Sequence, residues 1–411
     1  MLTHERAAGI GGALRRCIRS DQRAFFDEVW AKRPLLVEER DDAAFGDLFS
    51  LEAVDRILAG TFPRRPAIRL VKDGKELPAA SYSRTVSLGS EWLRDVIDAG
   101  RVYDAFQHGA TIVVQGLQRY WEPIVRFSRD LELTLSHPVQ VNAYVSPPGE
   151  RGLGVHYDTH DVFVLQIAGS KRWNVHERAV EAPLAHQRVK GSYEPRESLI
   201  ETELRTGQSL YVPRGFLHEA IATERISVHL TVGMLCYTWR DVIDEALKDA
   251  DDVVDFREAL PVGFANDAGA HAAVFAEKLR ALAAWIEVRD AAALADRLAK
   301  RFLSTRAPIR FGQFEQIPLI EALDSGSEVR MREGSVMTID RAGDGDDPAI
   351  AVVLGDRTLT MPAALEDALR FVRAGDPFRV AELGAFFKDD ASGVAFARRL
   401  VREGVLEILA L

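Results

Sequence analysis

The sequence predicts an α+β protein whose middle is an antiparallel β-sandwich or small barrel, covered by helical flanks. Two observations carry this. Between about residues 109 and 237 the chain runs "GATIVVQGL", "VQVNAYVS", "DVFVLQIAG", "RWNVH", "QSLYVP" and "ISVHLTVGM", short β-branched or aromatic stretches separated by Gly, Pro and Ser. Runs of that length and punctuation are strands joined by tight turns. On both sides of this block the texture changes to amphipathic stretches with helical spacing, which can supply covering layers.

The elements follow in chain order. "DQRAFFDEVWAKRPLLVEE" reads as an amphipathic helix carrying Phe25, Phe26, Val29 and Trp30, stopped at Pro34 and followed by a short strand over Leu35, Leu36 and Val37. "SLEAVDRILAG" reads as a second helix, capped by Ser50, with Gly60 beyond its end. After the strand block, "WRDVIDEALKDADDVVDF" and "HAAVFAEKLRALAAWIEVRDAAALADRLAKRF" have Ala/Leu/charged helical texture. Phe275, Leu279, Leu282 and Trp285 there suit an internal core or a dimer interface. The last part offers "GSVMTIDRA", the polar turn "GDGDD", "PAIAVVLGDRTLTM", three short helical stretches and a strand-like tail, an order that resembles a winged helix. The expected division is a mixed, mostly helical flank over 1–100, a β core over 101–239, a helical region over 240–308 and a winged-helix-like unit over 309–411.

Composition bounds the function. The 411 residues are 47% hydrophobic and 28% charged, an ordinary globular balance. The net charge of −10 argues against a surface built to coat nucleic acid. The two cysteines, Cys17 and Cys236, match no zinc or disulfide spacing. A start without a signal-like apolar core, and no run long enough to span a membrane, lead to the expectation of a cytoplasmic protein.

The chemistry concentrates in "GVHYDTHDVFVLQIAGSKRWNVHE". In a strand, residues two apart share a face, so His156 and Asp158 project together. An imidazole nitrogen beside a carboxylate oxygen suits a divalent metal such as Fe(II). A third ligand must come from a distant strand, and His218 in "SLYVPRGFLHEA" is the best candidate. His160 shares the parity but lies roughly 13 Å from His156 along a strand, too far for the same ion. His4, His137, His186 and His271 lie in loop or helix texture, and His229 has no acid or histidine at ligand spacing.

Two strands alternate: Gln140, Asn142, Tyr144 and Ser146 oppose Val141, Ala143 and Val145, and Ser227, His229 and Thr231 oppose Ile226, Val228 and Leu230. If helices pack the outside, those polar rows line the interior. Lys171 is either a solvated turn residue or a cation added to that interior. A metal at one end and an ammonium at the other suit a small dicarboxylate.

These residues carry a family resemblance. "HYD" before "DVFVLQIAGSKRW", then "LYVPRGFLHEA" and "SVHLTVG", resemble the JmjC-type, cupin-fold Fe(II)/2-oxoglutarate oxygenases, and in particular the ribosomal oxygenase (cupin-4) group. "FFDEVWAKRPLLV" resembles that group's N-terminal segment with its W-x-K-x-P-L core. The resemblance implies a double-stranded β-helix (jelly-roll) catalytic core, a helical dimerisation region and a C-terminal winged helix. It implies His156, Asp158 and His218 as iron ligands, and Lys171 as the partner of the far carboxylate of 2-oxoglutarate. Asn142, Tyr144 and Ser227 would assist in the pocket. Lys at this position is what animal members carry, while bacterial members carry Arg. The implied activity consumes O2 and hydroxylates a protein side chain, notably an Arg or His of a ribosomal protein, in a homodimer acting without nucleic acid or membrane. A demethylase, an oxygenase of another peptide or metabolite, and a non-catalytic metal-binding cupin remain alternatives.

Overall fold

A computed structural model of the chain describes residues 11–150, 153–187, 193–267, 269–342 and 348–411. His4 and the "GDGDD" turn lie outside the described residues. The chain divides into two compact units, Met1–Cys236 and Tyr237–Leu411.

Among the described residues of the first unit, thirteen strands follow in chain order: β1 Leu35–Val37, β2 Ile68–Lys72, β3 Lys75–Glu76, β4 Ser83–Leu88, β5 Glu91–Ile97, β6 Thr111–Val114, β7 Val139–Ser146, β8 Asp161–Ala168, β9 Ser170–Arg178, β10 Ser198–Arg205, β11 Ser209–Val212, β12 Phe216–Ala222 and β13 Ser227–Met234. Eight form one antiparallel sheet in the order β1-β11-β8-β13-β7-β6-β2-β3, and β10-β9-β12 form a smaller one. Strands β4 and β5 make a separate hairpin. Strands β1, β2 and β3 come from the segment read as flank, so the large sheet draws part of itself from residues 1–100.

The two faces of the large sheet explain the sequence alternation. Val141, Ala143, Val145, Phe163, Leu165, Val228 and Leu230 belong to the main apolar core, together with Phe25, Val54, Ile57, Ile124 and Leu131 of the covering helices. The opposite face of β8 and β11 gives Val162, Val164, Leu210 and Val212 to a second core with Trp173, Val175, Leu204 and Phe216 of the small sheet. The arrangement is a jelly roll: helices outside the large sheet, the small sheet inside. Burying each large apolar side chain is worth about 1.5–3 kcal/mol, which fixes the register of β7 and β13.

The helices match the expectations in place but not in length. Gln22–Glu28 is capped by Asp21 and ends well before Pro34, with Ala31 at φ 58° bending the chain into β1. Leu51–Gly60 is capped by Ser50 through the Ala53 N–H and includes Gly60. Glu122–Leu135 and β10 had no counterpart in the sequence reading.

The second unit holds the helices Trp239–Lys248, Ala272–Glu287 and Ala291–Ser304, the long apolar stretch being broken at Asp290, which caps the last of them. It continues with two three-stranded sheets, β14 Glu328–Met331 between β18 Phe378–Arg379 and β19 Leu406–Ala410, and the meander β15 Thr338–Ala342, β16 Ala349–Val353 and β17 Thr358–Pro362. Helices Glu366–Ala374 and Asp390–Arg402 contribute Leu369, Val372, Phe396 and Leu400 to its apolar core. No described helix is long and apolar enough to cross a membrane.

Candidate metal centre

His156 and Asp158 do not sit in a strand. Their segment forms an isolated antiparallel bridge, in which the His156 N–H donates to the His218 carbonyl at 3.1 Å and the His218 N–H to the His156 carbonyl at 2.8 Å. The bridge places the imidazoles of His156 and His218 on one side, with ring centroids 4.4 Å apart. Candidate ligand atoms of His156, Asp158 and His218 all lie within 4.8 Å of one another, and these three form the one such group among the described residues. The His218 Nε2 lies 3.7 Å from an Asp158 carboxylate oxygen.

Each imidazole is oriented by the backbone. The Nδ1 of His156 lies 2.8 Å from the Gly154 carbonyl, and that of His218 lies 3.1 Å from the Phe216 carbonyl. A carbonyl accepts only from N–H, so both rings carry their proton on Nδ1 and turn the Nε2 lone pair toward the cluster. Burial, then the neighbouring His156, pushes the His218 imidazole down to about 4, which keeps it in the neutral form a metal needs.

A cavity of about 130 Å³ opens beside these residues. Besides the three, its walls include Tyr144, Val162, Val164, Trp173, His229 and Thr231, with Thr111 and Lys171. Lys171 lies inside β9, 3% exposed, and its Nζ donates to Ser146 Oγ at 2.9 Å. Ser146 in turn shares a hydrogen bond of 3.0 Å with Thr111. No carboxylate pairs with Lys171 among the described residues, and burial pushes its ammonium down to about 7. The solvated-turn reading of Lys171 therefore gives way to the interior one.

His229 stacks on Tyr144, centroids 5.1 Å apart and planes within 6°, and meets the edge of Trp173. Burial and then Lys171 hold its imidazole well below its ordinary range. Its Nδ1 and the Trp173 Nε1 are buried without hydrogen-bond partners among the described residues.

Of the three assisting residues, Tyr144 borders the cavity while Asn142 and Ser227 do not. The Asn142 side-chain oxygen accepts from the Gly116 N–H at 3.0 Å, and Ser227 Oγ accepts from Gln166 at 2.9 Å. Their rows face inward as expected, but these two side chains are spent on backbone and amide groups. The cavity residues absent from the sequence-based site include Arg69, Thr111, Trp173, Glu219, His229 and Thr231. Alternation around Ser227 already placed His229 and Thr231 inside; Arg69 and Thr111 carried no local signal.

The donor set of two imidazoles and one carboxylate fits a divalent metal with open positions. The unpaired buried ammonium and the partnerless polar atoms of His229 and Trp173 fit a small anion reaching inward from it.

Residues 118–242 match the JmjC domain family. They include strands β7 to β13 of the two-sheet jelly roll. The chain is similar to ribosomal oxygenases. It is 28% identical over 311 residues to ribosomal oxygenase 1 of Gallus gallus, covering 71% of this chain and 50% of that protein. It is 26% identical over 433 residues to ribosomal oxygenase 2 of Mus musculus, covering 94% and 89%. A protein of Dictyostelium discoideum called bifunctional lysine-specific demethylase and histidyl-hydroxylase NO66 is 25% identical over 254 residues, covering 58% and 46%. The chain thus spans about half the length of the first of these relatives. Among solved structures, the Escherichia coli ribosomal oxygenase YcfD superposes with a TM-score of 0.51 at 20% identity, covering 95% of this chain and 98% of that one.

Proposed function

We propose that this protein is an Fe(II)- and 2-oxoglutarate-dependent oxygenase that hydroxylates a protein side chain, an Arg or His of a ribosomal protein. One observation carries the reading: a cluster of two imidazoles and a carboxylate stands at a cavity that also holds a buried, unpaired lysine. The names of the relatives support the choice of a ribosomal protein and of His. Bound iron, with 2-oxoglutarate and O2, supplies the oxidising chemistry that inserts oxygen into a C–H bond. The chain's own residues hold and orient. His156 and His218 offer Nε2, Asp158 offers a carboxylate oxygen, and Lys171 faces the far carboxylate of the dicarboxylate. Val162, Val164 and Trp173 supply an apolar part of the wall between them. Tyr144 is assigned to the same dicarboxylate; Asn142 and Ser227 would support it from behind the wall.

The same proposal extends to the whole chain. Residues 101–239 carry the catalytic core, built onto the flank 1–100, and 240–308 dimerise. Helix Ala272–Glu287 has no buried residue, and Phe275 and Leu279 are 41% and 64% exposed, which suits a partner copy. Residues 309–411 act as a winged helix in packing or protein recognition, without nucleic acid. On helix Asp390–Arg402, Arg398 donates to the Glu321 and Leu323 carbonyls, and Arg402 pairs with Glu321 at 2.7 Å, so two of its three arginines are already engaged. An acidic protein of net charge −10 attracts basic ribosomal proteins, which it would meet in the cytoplasm.

The test is incubation with Fe(II), 2-oxoglutarate and ribosomal proteins of the source organism, read by mass spectrometry. A gain of about 16 Da on one Arg or His, dependent on 2-oxoglutarate, is expected. Loss of a methyl group from lysine instead would favour the demethylase alternative.

A further inference from the structure

Asp161 opens β8, three residues after Asp158, and is fully buried at 0% exposure. It does not line the cavity beside the histidines and, among the described residues, belongs to no candidate ligand group. A carboxylate is buried only where donors repay its lost hydration, so its partners show what it holds. One oxygen accepts from the Tyr211 hydroxyl at 2.6 Å, the other from the Arg214 backbone N–H at 3.0 Å.

Both donors belong to the segment that delivers His218. Arg214 lies in the turn between β11 and β12, and the next N–H, that of Gly215, donates to the Asp158 carbonyl at 3.0 Å. Gly215 has φ +84°, and a Cβ there would stand 1.9 Å from the Val180 carbonyl oxygen, so the turn admits no other residue without moving. The turn is therefore tied on one side to Asp161 and on the other to Asp158. The Tyr211 hydroxyl also accepts from the Ala31 N–H at 2.9 Å, and its ring stacks on Trp30 at 5.9 Å. The N-terminal segment "VWAKRPLLV" thereby buttresses the same carboxylate.

We infer that Asp161, braced by Tyr211, is the positioning residue that fixes the Asp158 and His218 segments relative to each other, and so sets the geometry of the metal centre. The inference rests on the reading of His156, Asp158 and His218 as metal ligands. Asp161 touches no ligand side chain. It acts through the Arg214 backbone N–H and the Tyr211 hydroxyl, and groups that merely orient a ligand typically alter metal affinity by about 10–100-fold.

The test uses Co(II) alone as probe, titrated into the full chain and followed by its visible d–d absorption, whose energy and intensity report coordination geometry. The wild type is expected to give a saturable band that His156→Ala abolishes. Asp161→Ala should bind Co(II) at least about tenfold more weakly and shift the band. Asp161→Asn, which keeps an acceptor for the Arg214 N–H, should fall nearer the wild type. Tyr211→Phe keeps its packing against Phe25 and Trp30 and should shift the band to a lesser degree; it decides the matter if Asp161→Ala does not fold. A thermal melt on each variant separates a general loss of stability, which leaves the band in place. Wild-type affinity and an unmoved band in folded Asp161→Ala, or failing that in Tyr211→Phe, overturn the inference. A wild type that binds no Co(II), or a His156→Ala that binds it normally, removes the metal centre itself and the inference with it.

Discussion

The two ends of the cavity are built in opposite ways. The histidine end is assembled from a non-strand segment and the start of β12, held by backbone hydrogen bonds between His156 and His218 and by carbonyls that fix each ring. The lysine end is strand interior, where Lys171, Ser146 and Thr111 come from β9, β7 and β6 and are held by the sheet. The first end fixes its rings through backbone carbonyls, while the second sets a buried lysine by desolvation with no carboxylate paired to it among the described residues. Damage at the first should therefore change what binds and how it is coordinated. Damage at the second should change only how strongly an anion is held.

The sharpest separation comes from the ligands. His156→Ala and Asp158→Ala should each abolish iron-dependent 2-oxoglutarate consumption, beyond the roughly 10–100-fold that loss of an orienting group costs. Retained turnover in either would dissolve the distinction between the ends. Lys171→Ala should leave Co(II) affinity intact while raising the 2-oxoglutarate concentration needed by roughly ten- to hundredfold, the worth of a hydrogen bond between charged groups. An unchanged requirement would remove Lys171 from its role.

The pH dependence follows with its sign. With its ammonium lowered to about 7, Lys171 is charged below that pH and loses its proton as pH rises through it. A dicarboxylate needs the charged form, so its affinity should fall above about pH 7, by up to about tenfold per unit, with a proton taken up on binding. Lys171→Arg, which stays charged, should flatten that limb of the profile measured by calorimetry. The smallest effect belongs to Ser146→Ala, which removes one acceptor from the Lys171 Nζ. About 1 kcal/mol, or roughly fivefold in 2-oxoglutarate affinity, is expected, with the cobalt spectrum unmoved.

The same contrast explains what the sequence revealed. Alternation in "VQVNAYVS" and "ISVHLTVG" reports a local fact, one face on the helices and one inside, and the inward rows lie where it put them. It could not reveal that Asn142 and Ser227 are engaged behind the wall, because their partners Gly116 and Gln166 are distant in sequence. His156 and Asp158 were found through a strand that does not form; their proximity to His218 depends on a bridge across some sixty residues. Strand β10 hid in "SLIETELR", where only Leu204 is fully buried and the apolar signal is thin. Arg69 and Thr111 entered the cavity because β2 joins the large sheet beside β6, a pairing no local pattern announces.

The central claim is that one cavity holds a metal at its histidine end and 2-oxoglutarate between that metal and Lys171. Its most direct test is succinate formation by the wild-type chain with Fe(II), 2-oxoglutarate and air, with and without the metal. The account predicts succinate in step with 2-oxoglutarate consumed, and none once Fe(II) is omitted or chelated. A chain that binds Fe(II) yet never consumes 2-oxoglutarate, with or without ribosomal protein present, would contradict it.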